Sequence, residues 1–350
     1  RQEPPEVGTP AGSGDGGAVD GGGGGRLVAR RPPSPPSLVL PMSEFAKHAG
    51  CFGGKSLHLS ELAPKNGEYA VPPSATVPFG VFEDVLRASA NEELRGQLED
   101  LAAEGDWPEM RKLVIEELEL PSELEEAVAG AMSMLGAPLP ADTEWQRALK
   151  GVWASKWTER AVSSRRQVGF SDEDIQLAVL VQPLAFASYA FVIHTRSPMA
   201  GAREGDALVE VVVGLGESLV SNSPGRALSA SVGPGGSEPE VHTYPSKPAG
   251  VFAPDAGTHI FRSDSNGEDL EGFAGAGLYD SVTAAECPRR PVPYAAEPLL
   301  FDAAFRAGLL RRLFDLGRLV EAGLGGGPQD IEGAVLRDGS LVVLQSRPQV

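Results

Sequence analysis

The residues best suited to chemistry stand in RSDSNGEDLEGFAGAGLYDS, from Arg262 to Ser281. A β-rich run containing Thr258, Ile260 and Phe261 leads into a stretch with five acidic side chains and four glycines in twenty positions. Such a loop suits polyphosphate and metal. Gly272, Gly275 and Gly277 let backbone N–H groups approach phosphate oxygens with no Cβ in the way, and Arg262 offers those oxygens a planar, charged fork. Composition alone favours an ordinary Gly/Asp surface turn, because the spacing is neither that of a P-loop nor that of a dinucleotide fingerprint.

A second constellation lies near the end of the chain. Asp330 and Glu332 are two apart, so in a strand both point to one face, and Gln345 and Arg347 have the same relation. Asp338-Gly339 reads as a hairpin turn joining 333–336 to 341–345. Paired in this way, two carboxylates face an amide and a guanidinium, which is a platform for Mg²⁺ and a triphosphate or, equally, a surface salt bridge. Lys55 follows two glycines in GGKS and precedes an apolar helix-like segment, which suits a lysine folded over phosphates; in isolation the motif reads more readily as an exposed lysine. Cys51, two residues before that motif, reads as a free semi-buried thiol rather than a redox group.

The elements that must position these groups divide the chain. Its first 40 residues hold 10 Gly and 7 Pro and read as disordered linker ahead of a domain over 41–350. From about 80 to 165 the pattern is helical: Ser122 and Glu125 read as a capping box, and Trp145, Leu149, Val152 and Trp153 form an apolar stripe. From about 175 to 350 it is β-rich, with buried strands within 177–193 and at 207–213. A helix at 302–322 places Phe305, Leu309, Leu313, Leu316 and Val320 on one face. The fold class is α+β.

Net charge is −18, and residues 91–129 alone contribute −10, a solvated helical face that argues against nucleic acid or an anionic membrane as partner. Two cysteines are too few for a disulfide framework. The longest apolar tract, 177–193, is broken by Gln182, Pro183 and Ser188, which suits two strands rather than a membrane span. Beginning at Arg1 inside low-complexity sequence, the chain reads as the C-terminal piece of a longer polypeptide, with any transit peptide outside it.

The string from Arg262 resembles, nearly letter for letter, the nucleotide-binding segment of plant and algal α-glucan, water dikinases. Further resemblance lies in GGKS (53–56), VPFGVFEDVL (77–86), VWASKWTERA (152–161), AVLVQ (178–182), YAFVIHT (189–195), GLGESLV (214–220), PGRALS (224–229), YPSKP (244–248) and QDIEGAVLRDGSLVVLQSRPQV (329–350), and so covers about 45–350. It implies an ATP-grasp-like fold, two subdomains around an ATP cleft. It also implies ATP contacts from Lys55, Arg160, Gln182, Glu217, Arg262, the loop glycines and Arg347. Metal then falls to Glu332 and Gln345 with Asp330 supporting, and the ion is Mg²⁺. Glu210 is a weaker match than Glu217 for ribose or metal, and Pro183, after Gln182, departs from many relatives. The arginine-serine segment follows the VWASKWTERA helix by about a hundred residues, whereas in pyruvate-type and phosphoglucan dikinases it precedes it. This permuted order resembles the α-glucan enzymes.

The implied reaction is ATP + glucan + H₂O giving phosphoglucan + AMP + phosphate, with the β-phosphate carried on a histidine of a separate domain. His48, His58, His194, His242 and His259 do not sit in that domain's motif, and His194 reads as structural. The expectation is therefore a nucleotide-binding, phosphoryl-donating unit, incomplete by itself, reaching starch through other domains in the chloroplast stroma and at the granule surface. A non-catalytic nucleotide-binding fragment and a pyruvate-type dikinase or ATP-grasp ligase remain alternatives.

Overall fold

The computed structural model describes residues 32–62, 67–137, 144–220, 224–267, 269–270, 273–274 and 277–349. In chain order the first strands are β1 (Leu40–Pro41), β2 (Ala75–Val77), β3 (Leu177–Pro183), β4 (Ala187–His194), β5 (Ala207–Val213), β6 (Leu228–Val232) and β7 (Glu240–Thr243). They continue with β8 (Ala249–Val251), β9 (His259–Ser265), β10 (Asp269–Leu270), β11 (Phe273–Ala274), β12 (Ser281–Thr283), β13 (Arg289–Pro291), β14 (Gln329–Leu336) and β15 (Leu341–Pro348). Two sheets organise the molecule: a five-stranded one in the order β1-β2-β3-β9-β12, and a six-stranded one in the order β15-β14-β4-β5-β6-β7. Helices and largely antiparallel strands together make the α+β class observed.

Each sheet sinks one face into an apolar core. On the five-stranded sheet, Val77, Val179, Val181 and Phe261 meet a layer of helices. Before that layer comes α1 (Gly54–Leu62); the layer itself is α2 (Val81–Arg87), α3 (Glu92–Glu104), α4 (Trp107–Glu117), α5 (Ser122–Met134), α6 (Glu144–Ala154) and α7 (Glu159–Val168). Trp145, Leu149 and Val152 recur at helical spacing on α6 and are buried as expected. The capping box expected at Ser122 is not formed. Pro121, which has no N–H to offer and a fixed φ, takes the cap position, and Ser122 is already inside the helix.

After the short α8 (Glu217–Val220) and α9 (Pro298–Phe301), the long α10 (Ala303–Gly323) covers the six-stranded sheet. Asp302 caps α10 by accepting from the Phe305 N–H at 2.9 Å. Leu309, Leu313, Leu316 and Val320 are buried, but Phe305, expected on the same face, stays 38% exposed. It lies in the first turn, where it meets Tyr189 with ring centroids 6.0 Å apart.

The sheets are tied to each other both along the chain and by packing. The two strands expected within 177–193 are present and belong to different sheets, joined by residues 184–186. Helix α1 touches both units: Leu59 packs with Phe45, Phe52 and Leu180, whereas Leu62 packs with Phe191 and Leu313. The segment expected to be linker lies outside the described residues up to position 31, and its last residue, Leu40, opens β1 fully buried.

Candidate functional site

Residues directly opposite across a β-ladder point to the same face, so register alone places the side chains. On the six-stranded sheet, Gln345, Glu332, Val192 and Glu210 form one row, and Arg347, Asp330 and His194 form the next. Both rows lie on the face away from α10. The Asp338-Gly339 turn pairs Val335 with Leu341, Ala334 with Val342 and Gly333 with Val343; continued regularly, it would set Leu344 opposite Glu332. A bulge between Glu332 and Gly333 instead brings Gln345 there and leaves Leu344 outside the ladder. Leu341 and Val343 can therefore face the α10 core while Gln345 and Arg347, at the same parity, face the polar side. Gly333 makes this possible, since a Cβ there would stand 2.2 Å from Phe191 Cζ and 2.5 Å from the Val342 oxygen.

The carbonyl that the bulge leaves outside the ladder has a use. Arg262 reaches across from β9: Nη1 donates to the Leu344 oxygen at 2.7 Å, and Nη2 donates to Gln345 Oε1 at 2.9 Å and Glu332 Oε2 at 3.3 Å. Arg262 thus joins the five-stranded sheet to the carboxylate-amide pair of the six-stranded one. Beside it, Arg347 donates through Nε and Nη2 to Asp330 Oδ2 at 2.9 and 2.5 Å, and His194 Nε2 lies 3.9 Å from Asp330 Oδ1.

Lys55 stands in the first turn of α1, and its backbone N–H donates to Asp264 on β9, two residues from Arg262. Asp264 is fully buried, which pushes its carboxyl pKa up; the Lys55 charge and the Ser56 and Lys55 hydrogen bonds act the other way. Arg160, on α7, binds the far end of the glycine loop: Nε donates to the Leu278 oxygen at 3.0 Å and Nη2 to Asp280, which also accepts from Arg111 at 2.8 Å. Ser281, the next residue, pairs with Arg262 in the β12–β9 ladder, so two arginines flank this end of the loop.

Other expected residues lie elsewhere. Gln182 is buried within β3 and donates at 2.9 Å to Oγ of Ser74, the residue just before β2; its side chain serves packing within the five-stranded sheet rather than an open cleft. Glu217 heads α8, well exposed, with Arg289 at 3.7 Å. Gly277 is exposed with φ +71°, a left-handed conformation that suits glycine, and Gly272 and Gly275 lie outside the described residues. Cys51 is buried among Phe45 and Phe52, and burial pushes its thiol pKa up.

The sequence reading assigned no role to Asp264 and set Glu210 below Glu217, yet Glu210 shares the row of Glu332. The same two-residue spacing that linked Asp330 to Glu332 links Arg262 to Asp264, and it would have found the latter. Glu332 and Gln345 offer a carboxylate and an amide oxygen, hard donors that fit Mg²⁺, and Glu332 keeps 37% of its side chain open to solvent. Among the described residues no three His, Cys, Asp or Glu side chains cluster as a ready-made metal cage.

Comparison with known proteins adds independent findings. The family model described as "Pyruvate phosphate dikinase, AMP/ATP-binding domain" matches residues 138–227, which include Arg160, Gln182, Glu210 and Glu217. The chain is 43% identical over 312 residues to the chloroplastic alpha-glucan water dikinase of Solanum tuberosum, a match covering 85% of this chain and 21% of that protein. With alpha-glucan water dikinase 1 of Arabidopsis thaliana, also chloroplastic, it shares 41% identity over 340 residues, covering 91% of this chain and 24% of the relative. A rifampicin phosphotransferase of Streptomyces sviceus is 28% identical over 336 residues, covering 85% of this chain and 34% of its own length. The chain thus spans about a quarter of the length of the glucan dikinases it matches.

Proposed function

Because this chain belongs to the α-glucan water dikinase family, we propose that it is the ATP-binding phosphotransferase segment of such an enzyme. It gives the β-phosphate of ATP, through a histidine held on a separate domain, to a starch-type glucan. The overall balance is ATP + glucan + H₂O to AMP + phosphoglucan + phosphate. The two sheets act as the walls of an ATP-grasp-like cleft in permuted order, and the plastid is the place of work.

The observation that carries this reading is Arg262 spanning both sheets to Glu332, Gln345 and the Leu344 oxygen. In the nucleotide complex the fork of Arg262 turns to phosphate oxygens, with Arg347 and Lys55 as further cations and Arg160 steadying the loop that carries Gly272, Gly275 and Gly277. Glu332 and Gln345, with Asp330 behind them, would hold Mg²⁺, which would supply neutralising charge to the phosphates. Glu210, in the same row, faces the sugar or the metal. Gln182 supports the wall from inside, and Glu217 stands at its rim.

Calorimetric titration with Mg-ATP tests the site. Arg262→Ala and Arg347→Ala should each weaken binding by about 1.5 to 3 kcal/mol, the worth of a charge-assisted contact. Wild-type affinity in both would exclude the site. Incubation with ATP labelled at the β-phosphate tests the division of labour: label should reach glucan only when the histidine domain is present. Labelling of glucan by this chain alone would show that one of its own residues carries the phosphoryl group or that transfer is direct.

A further inference from the structure

Asp264 makes an unusual helix cap. Its Oδ1 accepts from the Lys55 N–H at 2.9 Å and its Oδ2 from the Ser56 N–H at 3.1 Å, so one carboxylate occupies two of the N–H groups that α1 leaves without helical partners. A cap normally comes from the residue just before the helix. Here it comes from 208 and 209 residues away, on the strand and the face that also carry Arg262. The approach depends on Gly53, where a Cβ would stand 2.4 Å from Asp264 Oδ1 and 2.7 Å from the Ser265 oxygen. Ser56 Oγ and Thr76 Oγ1, 2.9 Å apart, fix the same turn to β2. Further along α1, His58 Nδ1 donates to the Ser346 oxygen on β15 at 2.9 Å.

We propose that Asp264 is a positioning residue for nucleotide binding: by capping α1 from β9 it sets where Lys55 stands relative to Arg262. A cap from a neighbouring residue would shape the helix start but leave it free to shift against the sheet. A carboxylate rooted between the two cations' elements removes that freedom, and the His58 contact holds the same helix to the strand of Gln345. Lys55, Arg262 and Gln345 then keep one spacing, as a triphosphate of fixed length requires. This rests on the proposed function, in which Lys55 and Arg262 bind the nucleotide phosphates.

The test is a double-variant cycle, read as Mg-ATP affinity of the full chain by calorimetry, with circular dichroism confirming that each protein is folded. In Asp264→Asn the amide oxygen can accept from one N–H, while its NH₂ group confronts the other. Asp264→Asn should weaken binding about ten-fold, Lys55→Ala by a similar factor, and the double variant no more than Lys55→Ala alone, because Asp264 acts through Lys55. If Asp264→Asn binds as wild type, or if the two losses multiply, the positioning role is wrong while the nucleotide site stands. If Lys55→Ala binds as wild type, the assignment of Lys55 to phosphate fails, and the positioning role falls with it. Should Asp264→Asn not fold, Asp264→Ser, smaller and still able to accept one N–H, takes its place in the same cycle with the same outcomes.

Discussion

Two sheet faces in this protein carry polar side chains, and they are treated in opposite ways. On the five-stranded sheet, Thr76, Gln182 and Asp264 are at most 1% exposed, and each is bonded to another part of the chain: Ser56, Ser74 and the start of α1 respectively. On the six-stranded sheet, Asp330, His194, Arg347 and Glu332 keep 13, 27, 33 and 37% of their side-chain surface open. Buried polar groups must be matched within the protein, so those of the first face specify how α1 docks. Those of the second keep access to solvent and hence to a ligand. Arg262 belongs to the first face by register and reaches the second by length.

The contrast is sharpest where a single atom would break the sealed side. Gly53→Ala should destabilise the fold by about 3 kcal/mol, because the added methyl meets both Asp264 and the Ser265 carbonyl; denaturant unfolding measures it. Next comes Gln182→Ala, expected to cost about 2 kcal/mol of stability by leaving Ser74 without its buried donor, with Mg-ATP affinity of the folded protein unchanged. The reverse result, intact stability with lost affinity, would return Gln182 to the ATP contacts that the resemblance implied. On the open side, Glu332→Gln should leave stability within about 0.5 kcal/mol, as for exposed ion pairs, yet lower Mg-ATP affinity roughly ten-fold.

The smallest effect is one of pH. His259 is fully buried on β9, bonded through Nε2 to the Met132 oxygen at 3.2 Å, and burial lowers its pKa from 6.5. The unfolded chain then takes up the proton first as pH falls, so stability is complete above about pH 6.5 and declines below it. His259→Gln keeps a donor for Met132 but cannot titrate. The stability difference between variant and wild type should therefore change with pH only below that point. A difference independent of pH would show that protonation of His259 is not linked to folding.

Much of the fold was legible because local periodicity and burial agree here. The α6 stripe, the strand at 207–213 and the Asp330/Glu332 and Gln345/Arg347 pairs all follow from spacing. What spacing could not reveal was partnership over long sequence distance. Asp264 reads as one more acid in an acidic loop until α1 is folded onto it, and Gln182 reads as a strand-end polar group until Ser74 is brought beside it. Nor could period two alone divide 177–193 between two sheets, since a buried strand looks alike in either. Ser122 and Glu125 matched a capping motif, but Pro121 decided where the helix begins.

The unpaired residue at Leu344 also bears on how this chain tolerates insertion and deletion. Substituting Leu344 changes one side chain, and its backbone oxygen still faces Arg262. Deleting it would let Gln345 follow Val343 directly in a regular ladder, still opposite Glu332, with Ser346 opposite Ile331 and Arg347 opposite Asp330; every face would be kept, and the carbonyl that Arg262 Nη1 reaches would be lost. One lost codon would thus leave the polar row in place and take away only an anchor between the two sheets.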